Sequence, residues 1–219
     1  MNVAIVDYGV GNLFSLTCSF SAIGKNVCVT SDPEVLRAAD AVVLPGVGAF
    51  GDAIDALRKT GLDKVVCEIA AEGKPLLGIC LGMQMLFDKS YEYGEHEGLG
   101  LIPGEVRSLK EVVEPDTLVP HIGWNALHLV SGEGVCEKGL DEPGGPLLSE
   151  VGEGAYVYFV HSFYATDCVA HTIALTDYDV PVTAAVQKDN VFGCQFHPEK
   201  SGQVGLAILT SFCNLVKEA

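Results

Sequence analysis

Residues 76–87 read LLGICLGMQMLF, with Cys80 between Gly78 and Gly82 at the junction of two apolar runs. A cysteine that only fills core space needs no such setting; one forced onto a sharp strand-to-helix turn does. The G-x-C-x-G form matches a nucleophile elbow, where the central residue has a strained backbone and side chains two positions away would crowd it. LLGI before Cys80 has strand character and LGMQMLF after it has helix character. Unpaired amides at the start of that helix would favour a thiolate. The plainer alternative is a small core residue packed between glycines.

Outward from this turn, the chain alternates between strands and helices. NVAIVDYGVGN is an apolar run ending in a polar, glycine-rich turn, LFSLTCSFSAIG reads as a helix and NVCVT as a strand. DAVVLPGVGAF repeats the strand-to-turn pattern, and residues 52–71 look helical with a break at Gly61. KPLLGIC is a further strand and LGMQMLFDK its helix. Short, continuously apolar strands alternating with helices predict a parallel sheet covered on both faces. Beyond Gly98 the rhythm changes: GEVRSL, LVPHIGWNALHLV, AYVYFVHSFYA, VAHTIALTDY and VPVTAAVQKDNVFGCQF look extended, with a hairpin turn at KDN, 188–190. The last segment places Val204, Ile208, Phe212 and Leu215 or Val216 on one helical face. The expected fold is therefore α/β: a flavodoxin-like three-layer sandwich whose mostly parallel central sheet gains an antiparallel portion in the second half. One domain, 1–219, is expected, with the Gly/Pro/Glu-rich segment 131–147 as a surface excursion.

Composition excludes several classes. The 48% hydrophobic content suffices for a cooperative core. A formal net charge of −16 repels phosphate backbones and anionic lipid, so neither nucleic acid nor membrane is an expected partner. No run of eighteen apolar residues occurs, and the start lacks the pattern of a secretory signal, so a soluble, cytoplasmic protein is expected. Much of the acid lies in 88–116 and 131–154, which read as solvated loops or as surfaces complementary to a basic partner. The eight cysteines contain no C-x-x-C, and reduced, mainly buried thiols are expected. His96, His121, His128 and His171 form no ligand cluster at recognisable spacing, and neither metal nor cofactor is expected.

A nucleophile requires a base, and FGCQFHPEK at 192–200 offers one. Pro198 restricts His197 to an extended conformation, so His197 and Glu199 point the same way. Glu199 can then orient the imidazole and support its charged form. The PGVG turn, 45–48, should lie beside the elbow, because ligands of parallel sheets bind beyond the C-terminal strand ends. Amides around Val47 and Gly48 would supply half of an oxyanion hole, and the amide of Leu81 the other half. A phosphate loop is disfavoured, since no lysine follows GVGAFG at the required spacing.

Together these residues resemble the class I, triad-type glutamine amidotransferases, along essentially the whole chain. G-I-C-L-G-M-Q with H-P-E carries the class. DYGVGN, PHIGWN at 120–125, YFVHSFYA at 158–165 and Lys200 bring the resemblance closest to the glutaminase subunits of imidazole glycerol phosphate synthase. The resemblance implies hydrolysis of glutamine to glutamate and ammonia through Cys80, His197 and Glu199 and a glutamyl thioester. The ammonia would pass to a (β/α)₈-barrel cyclase subunit that makes imidazole glycerol phosphate. It further implies substrate contacts at Gln84, Gly46, His161 and Ser162, and partner-facing positions at Asn12, Trp124 and Lys200. Trp124 could equally be a core or lid aromatic, and Lys200 a surface cation. The family segment ending in Ser-Tyr reads Ser162-Phe163 here, which removes a hydroxyl but leaves the backbone. Two other readings keep the cysteine chemistry: the glutaminase subunit of another amidotransferase, such as pyridoxal phosphate synthase, or a free-standing cysteine hydrolase of the same fold.

Overall fold

The computed structural model describes residues 2–130 and 143–216. Its first half runs β1 (Val3–Val6), α1 (Leu13–Ala22), β2 (Val27–Thr30), α2 (Pro33–Ala38), β3 (Ala41–Leu44), α3 (Phe50–Thr60), α4 (Leu62–Ala71), β4 (Leu76–Ile79) and α5 (Leu81–Met85). Short strands follow: β5 (Lys89–Ser90), β6 (His96–Glu97), β7 (Glu105–Ser108), β8 (His121–Ala126) and β9 (His128–Leu129). Then come β10 (Tyr156–His161), β11 (Phe163–Thr166), β12 (Thr172–Tyr178), β13 (Val180–Lys188), β14 (Val191–Cys194) and α6 (Gly202–Asn214).

The main sheet has the order β2-β1-β3-β4-β14-β13-β12-β9. Its first five strands pair in parallel, and β13, β12 and β9 extend it antiparallel. Counted among themselves, the parallel strands follow the flavodoxin-like order 2-1-3-4-5. Every residue of β1, β3, β4 and β14 is buried, as continuous apolar runs require when both faces are covered. The two-residue period sends alternate side chains into two cores. Ala4 and Val6 pack with Leu36, Phe50, Leu57 and Val66 from α2, α3 and α4. Val3 and Ile5 pack with Leu16, Phe20, Ile208 and Phe212 from α1 and α6. The result is the expected three-layer sandwich. Beside it lie a two-stranded sheet, β10-β8, and a four-stranded one, β11-β7-β5-β6.

Several expectations hold in detail. Gly61, with φ 74°, divides the 52–71 helix, and its amide closes α3 on the Arg58 carbonyl. Asp189 and Asn190 turn the β13–β14 hairpin. Ile208 and Phe212 face the core from α6.

Others need correction. The helix after the elbow stops at Met85, not Lys89. The carbonyls that would extend it are taken instead by the amides of Leu99, Gly100, Leu101 and Ile102, and Lys89 joins β5. Helix α2 was not expected; Asp32 caps it through a 2.9 Å bond from the Glu34 amide, with Pro33 in its first turn. Most of the 131–147 excursion lies outside the described residues, but its end is anchored: the Gly144 amide bonds the Val130 carbonyl and Leu147 is fully buried. Seven cysteines fall in the described residues and all are free thiols. Cys80, Cys168, Cys194 and Cys213 are buried, in line with mainly buried thiols, while Cys18 and Cys28 are exposed. Cys136 lies outside. Among the described residues, no helix is long and apolar enough to cross a membrane.

Candidate active site

The elbow is built by close backbone approach. Cys80 has φ 55° and ψ −111°, a strained conformation for a residue with a side chain. Its amide bonds the Cys194 carbonyl at 2.8 Å, and its carbonyl accepts the Gln84 amide at 3.1 Å, so neighbouring elements hold the strain. The flanking glycines are needed for room. A Cβ on Gly82 would lie 1.9 Å from the Leu44 carbonyl oxygen, and one on Gly78 would lie 2.7 Å from the Gly82 oxygen. The glycines thus let α5 pass close to its own strand and to the end of β3, which is more specific than leaving space around the thiol.

The PGVG turn follows β3 and touches the elbow. A Cβ on Gly46 would come within 2.7 Å of the Gly82 nitrogen. From the end of β1, the Tyr8 hydroxyl donates to the Pro45 carbonyl at 2.8 Å. Burial, reinforced by Cys80, holds the Tyr8 pKa well above its ordinary value, so it stays a donor.

His197 and Glu199 follow β14. His197 Nδ1 lies 2.8 Å from Glu199 Oε1, and both side chains are almost fully buried. Burial alone would lower the His197 pKa, but the adjoining Cys80 and Glu199 outweigh it and raise it to about 9. His197 Nε2 makes no hydrogen bond of full geometry among the described residues, yet the adjoining Cys80 raises the imidazole's pKa first as a hydrogen-bonding neighbour and then through its charge. The Asn12 side chain donates to the same Glu199 oxygen at 3.3 Å. Asn12, expected to face a partner, touches the His197–Glu199 pair.

These groups surround a cavity of about 380 Å³ lined by Val47, Gly48, Cys80, Leu81, Gln84, His161, Ser162, His197 and Lys200. Glu199 stands behind His197, and Gly46 behind the elbow. Trp124 lies apart on β8, 54% exposed, with its ring edge-on to Tyr158. Three buried groups were not foreseen. Gln195 Nε2 points at Cys80 Sγ from 3.7 Å. Glu92 lines the cavity and accepts the Phe50 amide at 2.7 Å. His121 contacts His161, ring nitrogens 3.1 Å apart. Gln84 Nε2 donates to the Phe163 carbonyl at 2.9 Å and to Gln195 Oε1 at 2.8 Å. Both its amide hydrogens are engaged, which leaves its carbonyl oxygen as the group free to accept. The Phe163 contact runs through the backbone and survives the missing hydroxyl.

Residues 4–214 match the family Glutamine amidotransferase class-I. The chain belongs to this family. As a class I glutamine amidotransferase it has relatives along its full length. It is 45% identical over 216 residues to "Imidazole glycerol phosphate synthase subunit HisH" of Lacticaseibacillus casei, covering 99% of this chain and 97% of that one. A HisH of Methanothermobacter thermautotrophicus is 45% identical over 218 residues, covering 98% and 99%. One of Bacillus velezensis is 47% identical over 221 residues, covering 99% and 97%. The amidotransferase fold extends to more distant solved structures. One titled "Structure of PurLQS from Thermotoga maritima" superposes with a TM-score of 0.69 at 20% identity, covering 99% of both chains.

Proposed function

We propose that this chain is the glutaminase subunit of an imidazole glycerol phosphate synthase, with Cys80 as nucleophile, His197 as acid and base, and Glu199 as its orienting carboxylate. The observation that carries the reading is the buried His197–Glu199 pair facing a strained elbow cysteine across one cavity. Full-length relatives named as the HisH subunit support the pathway.

The mechanism follows from the geometry. Cys80, as thiolate, attacks the side-chain carboxamide of glutamine. Amides of Leu81 and of the Val47–Gly48 turn stabilise the oxyanion; one such donor contributes roughly 3 kcal/mol in the transition state. With a pKa of about 9, His197 carries a proton at neutral pH, which it gives to the leaving nitrogen. Ammonia departs and a glutamyl thioester remains. Neutral His197 then takes a proton from water, which attacks the thioester, and glutamate is released. Glu199 accepts from Nδ1 at 2.8 Å and fixes the imidazolium in place. Gln84 accepts from the substrate, while Glu92 on the cavity wall matches its ammonium end.

The partner in this reading is a (β/α)₈-barrel cyclase. Support comes from the β10-β8 sheet, where Ile122 lies opposite Val160 and Trp124 opposite Tyr158. Ile122, Trp124 and Tyr156 of this strand pair are exposed apolar side chains, a surface suited to a protein partner. Lys200 sits over the Tyr158 ring at 5.6 Å, between this surface and the cavity. Ammonia that reaches water is protonated and lost, a physical reason to couple hydrolysis to that partner. The PGVG turn is the proposed point of coupling, with Gly48 at φ 95° and Val47 half-exposed. Glutamate release should be slow for the chain alone and fast with the ligand-loaded cyclase. Equal rates in both conditions would remove the coupling.

A further inference from the structure

Four side chains outside the triad form a continuous polar line from β8 to the cavity. We propose that His121 is a positioning residue of the glutamine pocket: a one-way hydrogen-bond chain from Asn125 through His121 and His161 to the Phe163 carbonyl fixes how Gln84 faces the substrate. This rests on the glutaminase reading and adds a residue to it.

The direction of the chain is set at both ends. Asn125 Oδ1 accepts the Ala126 amide at 2.8 Å, and Asn125 Nδ2 donates to the Asp177 carbonyl at 2.7 Å, so its amide cannot be flipped without losing both. Its remaining Nδ2 hydrogen points at His121 Nε2, 3.4 Å away, which must accept. At the other end His161 Nδ1 is 2.8 Å from the Phe163 carbonyl, which can only accept, so Nδ1 carries the proton. Between them, His121 Nδ1 and His161 Nε2 are 3.1 Å apart. One of each facing pair must donate, so His121 holds its proton on Nδ1 and His161 accepts on Nε2. Both rings are thereby assigned the Nδ1–H tautomer, with one proton each.

The surroundings support single protonation. His121 is stacked between Phe159 and Tyr178, ring centroids 4.7 and 4.1 Å away. It is 3% exposed and His161 is 6% exposed. Burial lowers their pKa values to about 4 and about 3.

The chain ends on the oxygen that orders Gln84. Phe163 O accepts from both His161 Nδ1 and Gln84 Nε2. Were the His161 proton on Nε2 instead, a bare Nδ1 would face that oxygen, and repulsion would displace it. Gln84 would then lose one of the two acceptors that keep its carbonyl turned toward the cavity. His121 prevents this by donating to His161 Nε2, although it touches no substrate itself.

The test has two arms. Imidazole ¹⁵N spectra of the wild-type chain should show both rings as neutral Nδ1–H tautomers; an Nε2–H tautomer at either ring overturns the chain. Glutaminase kcat/KM is then compared, in the complex with the cyclase subunit, for wild type, His121→Phe and His121→Asn. Phe keeps the stack and removes the donor, whereas Asn removes most of the stack and keeps a donor near Nδ1. The expected result is a roughly ten- to hundredfold loss for Phe, the scale of one buried hydrogen bond, with Asn recovering most of it. If Phe is tolerated, the donor is dispensable, and if Asn is as poor as Phe, restoring a donor does not help; either result overturns the inference. Wild type that releases no glutamate would instead sink the glutaminase reading, while the tautomers still decide the chain.

Discussion

At the residue scale, the proton that the proposed mechanism places on His197 also bears on stability. Its pKa is raised from an unfolded value of about 6.5 to about 9 in the folded chain. The stabilisation is therefore complete below 6.5 and is lost as pH rises through 9. Unfolding free energy from urea titrations should fall across that window by about 1.4 kcal/mol per pH unit from this group. His197→Ala should remove that slope; an unchanged slope would mean that the imidazole is not held as a cation. Buried His121 acts with the opposite sign. Its pKa is lowered to about 4, so its contribution is present above 6.5 and is lost as pH falls toward 4. His121→Phe should flatten stability between pH 6.5 and 4 relative to wild type. Asn12 gives a smaller effect: Asn12→Ala removes one bond to Glu199, so unfolding free energy should drop by about 1 kcal/mol and glutaminase kcat several-fold, with the chain still folded. The residues legible in the sequence were those brought together locally. Cys80 sits in a five-residue motif and His197 lies two positions from Glu199. Gln195 was missed although it has the same signal: two positions before His197 in extended chain, it shares that side of the strand. His121 and Asn125 had no such signal, because their partners His161 and Asp177 are 40 and 52 residues away.

At the element scale, the site depends on how closely two helices approach their neighbours. Gly205 of α6 shows this as clearly as the elbow does. A Cβ there would lie 1.8 Å from the Pro198 carbonyl oxygen, so Gly205→Ala must push α6 away from the turn that carries His197 and Glu199. Turnover should fall at least tenfold with a loss of about 1–3 kcal/mol in stability, whereas Gln203→Ala, on an exposed position of the same helix, should change neither. Equal effects of the two substitutions would contradict a specific contact. The parallel strands were legible because each is an uninterrupted apolar run between helices. Helix α2 was passed over because PEVLRA is only six residues long, too short for a periodic stripe. Its signal was Asp32-Pro33-Glu34, a cap followed by a first-turn proline. The length of α5 was not legible, since it is set by the amides of residues 99–102, which capture the carbonyls at its end.

At the scale of the whole molecule, the proposed triad and the β10-β8 surface lie in one chain, and the proposed function gives them two events, glutamine hydrolysis and ammonia transfer. Trp124→Ala should weaken the complex with the cyclase by about 2 kcal/mol or more, as buried aromatic anchors do. It should leave the isolated chain folded, since that ring is largely exposed. A net charge of −16 also predicts that association with a basic barrel face slows as salt is raised. The proposed partner surface was only partly legible: PHIGWN pointed to it through family likeness, while the pairing that sets Ile122 and Trp124 beside Tyr158 and Val160 required the fold. The most direct measurement of the central claim is glutamate release by the purified chain, first alone and then with the cyclase subunit and its phosphoribulosyl ligand, with Cys80→Ala alongside. Strong release only in the ligand-loaded complex, abolished by Cys80→Ala, is the expected result. Release that persists in Cys80→Ala would contradict the nucleophile and, with it, the account of the site.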